Sequence, residues 1–123
     1  MNRRGAIAGA LGLALTGRAA GAVTPDGAYG LVGRITAKPG QRAALGQLLL
    51  GGSADMPGCL AYLVAEDANN ANLLWVTEAW ESKAAHEASL QLPAVRDAIR
   101  QAVPIVAAFE TVATTRPLRS RRP

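Results

Sequence analysis

A single cysteine, a single histidine and five aromatic residues in 123 positions set the first limits on what this chain can do. Cys59 alone cannot close an internal disulfide, and one imidazole gives no His/Cys pattern with zinc-binding spacing. Long apolar runs are also lacking: the mildly hydrophobic stretch from Gly5 to Gly17 is too short to span a bilayer comfortably. The body of the chain is short of basic charge. Of 13 Lys and Arg, seven are terminal (Arg3, Arg4, Arg18, Arg116, Arg119, Arg121 and Arg122), which leaves six basic against nine acidic residues over 23–115. A groove for a phosphate backbone needs cations and aromatic platforms on the folded body, so the formal charge of +4 does not signal nucleic-acid binding. What is plentiful is apolar residue, 50% of the chain, enough for one domain with a modest core and no staples.

The first 22 residues read as an export signal. Asn2-Arg3-Arg4 is a short basic region, Gly5 to Gly17 the apolar region, and Ala20-Gly21-Ala22 a small-residue site for cleavage after Ala22. Paired arginines before a weakly hydrophobic Gly/Ala-rich run, with Arg18 near the cleavage site, resemble a twin-arginine signal, although Ala6 stands where a large apolar residue is usual; the general route stays open. The mature protein is expected to start near Val23 in the periplasm or outside the cell, with 23–28 as a leader, Cys59 buried and inert, and 116–123 as a basic, disordered tail.

Between these ends the periodicity alternates between two and 3.6. Tyr29 to Ala37 predicts a strand stopped by Lys38-Pro39-Gly40; Ala44, Leu45, Leu48 and Leu49 mark one face of a helix from Gln41 to Gly51-Gly52. Cys59 to Ala65 is a second strand, the polar turn Glu66 to Asn70 makes a hairpin, and Asn72 to Glu81 is the third. Ser82 caps a helix to about Gln91, and Pro93 opens another, with Val95, Ala98, Ile99, Ala102 and Val103 as its apolar stripe until Pro104. Ala107 to Thr115, patterned around Phe109, Val112 and Thr114, is the last strand. This order predicts an α+β fold: a ferredoxin-like βαββαβ antiparallel sheet with helices on one face. Its other face would expose an apolar patch, which a homodimer packing sheet on sheet would cover.

Chemistry concentrates around the third strand. Glu78 and Trp80 are two apart and share a strand face, and His86 lies about one turn inside the helix that Ser82 caps. Such a cluster can hold and deprotonate a small ring, or it can be a satisfied polar seam in a core.

Lys38-Pro39-Gly40 before the first helix, Pro57-Gly58-Cys59-Leu60-Ala61-Tyr62 entering the second strand, and Glu78-Ala79-Trp80-Glu81-Ser82 followed by His86-Glu87-Ala88-Ser89 resemble, in order and spacing, the antibiotic biosynthesis monooxygenase domain over about 29–115. The resemblance implies a dimeric α+β barrel with a pocket in each protomer between sheet and helices. In several members it also implies oxidation of quinols or polyphenolic rings by dioxygen without flavin, metal or haem, so that no cofactor is expected. On that basis His86 is the expected base, its ordinary pKa of roughly 6.5 suiting it to accept a phenolic proton near neutrality. Trp80 would pack on the ring, Glu78 would orient His86 or take a proton itself, and Arg100 would stabilise a developing oxyanion. Tyr62 would pack, or donate to a substrate oxygen. Each has a structural rival, such as an i,i+3 pair between Arg100 and Asp97.

Two departures from the family pattern narrow the substrate. With aromatics at 4% of the chain, and Val95 where relatives often carry a ring, the expected lining is thin in aromatics. Haem-degrading members bind iron through a histidine further along the second helical region, and none stands near Arg96. A small exported quinol or phenol monooxygenase is thus the leading expectation, beside a non-catalytic small-molecule-binding dimer module and a cofactor-free isomerase of a small oxygenated metabolite.

Overall fold

The computed structural model describes residues 27–118, so the expected signal sequence, most of the leader and the last five residues of the tail lie outside it. The element order is β1 (Tyr29–Ala37), α1 (Arg42–Gly52), β2 (Cys59–Glu66), β3 (Leu73–Trp80), α2 (Lys83–Ser89), α3 (Pro93–Ala102), a 3₁₀ turn (Val103–Ile105) and β4 (Val106–Thr115). All strand pairs are antiparallel, in the spatial order β2-β3-β1-β4. This is the ferredoxin-like arrangement expected from the sequence.

The turns follow from local chemistry. Gly40 and Gly58 adopt positive φ, a backbone region that side chains with a Cβ rarely enter. Gly58 is doubly constrained, since a Cβ there would stand 2.7 Å from Ala85 Cβ on α2, while its carbonyl accepts from Glu81 N–H at 2.9 Å. The close approach locks the start of β2 to the junction of β3 and α2. Ser82 caps α2 by accepting from Ala85 N–H at 3.0 Å. The helical run ends at Ser89 instead of Gln91. Leu90, Gln91 and Leu92 bond three residues back, a tightened turn, and Leu92 is forced extended by Pro93 behind it.

The core lies between sheet and helices, built from Ile35, Ala37, Leu45, Leu74, Val76 and Ala102. At the far edge of the hairpin, the Asp67 carboxylate accepts from Trp75 Nε1 at 2.7 Å and from two backbone amides of its turn, and Arg42 reaches over from α1 to the Asp67 and Asn70 carbonyls. The expected apolar stripe of α3 is only half covered. Ala102 is buried, but Ile99 and Val103 are exposed, Val103 to 66%. The reason is a space between α3 and the sheet.

Candidate functional site

That space is a cavity of about 840 Å³, within the size range of small-molecule sites. Strand register decides its lining. Tyr29 faces Trp80, and Leu31 faces Glu78, across the β1–β3 ladder; Tyr62 faces Glu78 across β2–β3. Side chains that are paired across a ladder share a sheet face, so four chemistry-bearing residues from three strands converge at one end of the cavity, and α2 lays His86 over them.

The Glu78 carboxylate is the hub. Its Oε1 accepts from Trp80 Nε1 at 2.9 Å and lies 3.9 Å from His86 Nε2, and both the Glu78 and the His86 side chains are only 18% exposed. The His86 ring sits edge-on to Trp80 at 5.4 Å and tilted against Tyr29 at 5.5 Å. Burial, followed by the negative charge of Glu78, pushes the Tyr62 phenol up to about 12, so its hydroxyl keeps its proton and remains a donor. Cys59 is free and half-buried instead of buried; burial raises its thiol pKa, backbone hydrogen bonding at Ala61 lowers it, and the negative charge of Glu78 raises it further.

Of the residues expected from the sequence, Glu78, Trp80, His86 and Tyr62 are brought together. Arg100 is not. It lies on the outward flank of α3, outside the cavity lining, where its exposed guanidinium pairs with Asp97, one turn away. No Arg, Lys, Asn or Gln among the described residues lines the cavity. No group of three or more His, Cys, Asp or Glu among the described residues could hold a metal ion.

The expectation of a lining thin in aromatics is corrected. Of the chain's five aromatic residues, Tyr29, Tyr62, Trp80 and Phe109 all line the cavity, and only Trp75 does not. Tyr29 went unrecognised as a site residue because its contact with His86 depends on β1–β3 register, which its neighbours in sequence do not reveal. Its one visible signal was its place at the head of an alternating strand.

The chain matches the family model of antibiotic biosynthesis monooxygenase over residues 28–101. Among solved structures it is similar to one from Chloroflexus aurantiacus J-10-fl, described as a candidate antibiotic biosynthesis monooxygenase, at 45% identity and a TM-score of 0.74, covering 77% of this chain and 97% of that one. It also resembles a candidate antibiotic biosynthesis monooxygenase from Caulobacter crescentus CB15, at 20% identity and a TM-score of 0.68, with 76% and 92% covered. A protein from Pseudomonas aeruginosa aligns at 24% identity and a TM-score of 0.68, with 80% and 100% covered. At those two lower identities the likeness is one of fold alone. No curated protein matches the chain.

Proposed function

Because the chain belongs to the antibiotic biosynthesis monooxygenase family, we propose that it oxidises a quinol or phenolic small molecule with dioxygen, the substrate itself supplying the electrons. The observation that carries this reading is the convergence of His86, Glu78 and Trp80 at one end of a large apolar cavity. His86 takes the phenolic proton, and the resulting imidazolium is stabilised by the Glu78 carboxylate 3.9 Å away. Trp80 and Tyr29 hold the ring in place, and the Tyr62 hydroxyl, in the oxyanion-stabilising role expected of Arg100, donates to the phenolate oxygen. The electron-rich phenolate then reduces dioxygen: one oxygen atom enters the ring, and two hydrogens lost from the substrate leave with the other as water. No external reductant is needed for that balance.

The test is oxygen uptake with a reduced naphthoquinol, measured above its background autoxidation. His86→Ala is expected to lower the rate by about 10²–10⁴-fold while the thermal midpoint holds; an unchanged rate removes His86 from the chemistry. A binding module without turnover is the second reading, favoured by the lack of an Arg, Lys, Asn or Gln donor in the lining among the described residues. Saturable binding with no oxygen uptake would select it.

Two further parts of the proposal concern assembly and location. The uncovered sheet face carries Leu63, 62% exposed, near a patch where Arg34 pairs with Glu110 and lies 5.6 Å over the Trp75 ring. A second copy covering this face is the assembly that fits it. Export and cleavage after Ala22 follow the arrangement of the first 22 residues. No helix among the described residues is long and apolar enough to cross a membrane.

A further inference from the structure

The cavity is chemically polarised along its length. Polar groups gather at the end where β1 begins, around Tyr29, Glu78 and His86. Six residues along β1, or about 20 Å at strand rise, Ile35 pairs with Phe109 and the lining is apolar. The third helix runs alongside and, with its C-cap Val103, places Val95, Ile99 and Val103, each four residues apart, on one face over this trough. At its far end Val103 and Phe109, 66% and 64% exposed, form an apolar rim continuous with the cavity. A large apolar patch left open beside a cavity calls for an occupant that extends to it. Among the described residues, the only carboxylate in the lining stands at the polar end, with no cation beside it other than a protonated His86.

We propose that the cavity takes an uncharged single-ring phenol bearing a linear aliphatic tail, the hydroxyl head between Tyr62 and His86 beside Glu78 and the tail along Val95, Ile99 and Val103 to the Phe109 rim. This rests on the reading of the site given above and sharpens it to a ligand class. Head and tail are recognised by different physics. The ring stacks and donates or accepts hydrogen bonds among aromatic and carboxylate groups, and the tail gains only from leaving water. A carboxylate in place of the hydroxyl would set a second negative charge against Glu78, with His86 the one titratable cation between the two, and binds more weakly. Tyr62, whose hydroxyl has no hydrogen-bond partner among the described residues, supplies the donor that the head group satisfies.

The test is binding, followed by Trp fluorescence, of three probes to the full-length protein: phenol, 4-heptylphenol and 4-heptylbenzoate. The expected order is 4-heptylphenol tighter than phenol by at least about 50-fold, the equivalent of about three buried methylene groups, and tighter than 4-heptylbenzoate by at least about tenfold. Glu78→Gln is expected to narrow the gap between the two heptyl probes. Equal affinities for phenol and 4-heptylphenol, tighter binding of the benzoate, or no binding by any probe would overturn the assignment. A protein that binds in the expected order yet consumes no oxygen keeps the ligand class and loses the oxygenase; one that oxidises short phenols with no preference for a tail does the reverse.

Discussion

On the helix-covered face of the sheet, Glu78 is held by Trp80 and His86 at the end of an apolar cavity; on the open face, Glu110 pairs with Arg34 above Trp75, both partners well exposed. Each of these clusters therefore brings together one glutamate, one cation or potential cation and one indole. The exposed pair gains little, because water competes for both charges, and such pairs contribute roughly 0–1 kcal/mol. The sheltered group stands under a different rule: a carboxylate taken largely out of water costs stability unless it is hydrogen-bonded, and here it has one close donor and an imidazole at 3.9 Å. A fold under selection for stability alone would put a hydrocarbon there. The polar end of the cavity fits the phenolic ligand proposed above, and the open face fits the second copy proposed to cover it.

Truncation separates the two faces most sharply. Trp80 is 1% exposed and holds the cavity wall together, so Trp80→Ala is expected to cost about 3–5 kcal/mol, whereas Leu63→Ala on the open face should stay within about 0.5 kcal/mol in the isolated protomer. Thermal or denaturant unfolding checks both, and equal costs would break the comparison. A charge at the same open-face position acts on assembly instead: Leu63→Asp should convert a dimer into a folded monomer in sedimentation velocity. A smaller effect lies in the alkaline range. The Tyr62 phenol is raised from its ordinary 10 to about 12 in the folded protein. The folded state keeps a proton that the unfolded chain releases, so the contribution is fully present below about 10 and lost as the pH rises towards about 12. Unfolding titrations at pH 9 and 11 should show this slope in the wild type and not in Tyr62→Phe.

Much of the architecture was legible because its signals are local. The alternation from Tyr29 to Ala37, the Ser82 cap and Pro93 at a helix start are each decided within a few residues, and each appears where expected. The shared face of Glu78 and Trp80 needed only the period of a strand. The last strand shows the limit of such reasoning. Phe109, Thr111 and Thr114 all line the cavity although Thr114 has the wrong parity, because a register shift opposite Val32 and Gly33 leaves Val112 as an extra residue. No spacing rule announces that bulge. The half-open stripe of α3 was likewise hidden, since periodicity names the inward face of a helix but not the distance at which the sheet lies. Arg100 was ambiguous for a related reason: a flank residue can turn either way, and here its side chain turns to Asp97 one turn back.

The most direct measurement of the central claim uses the chain's only histidine, whose imidazole Cε1–H gives a single assignable NMR signal. The account predicts that titration with 4-heptylphenol shifts this signal and saturates at the concentration that saturates binding, since the phenolic head seats against His86. A signal that stays in place while the ligand saturates the protein would contradict it.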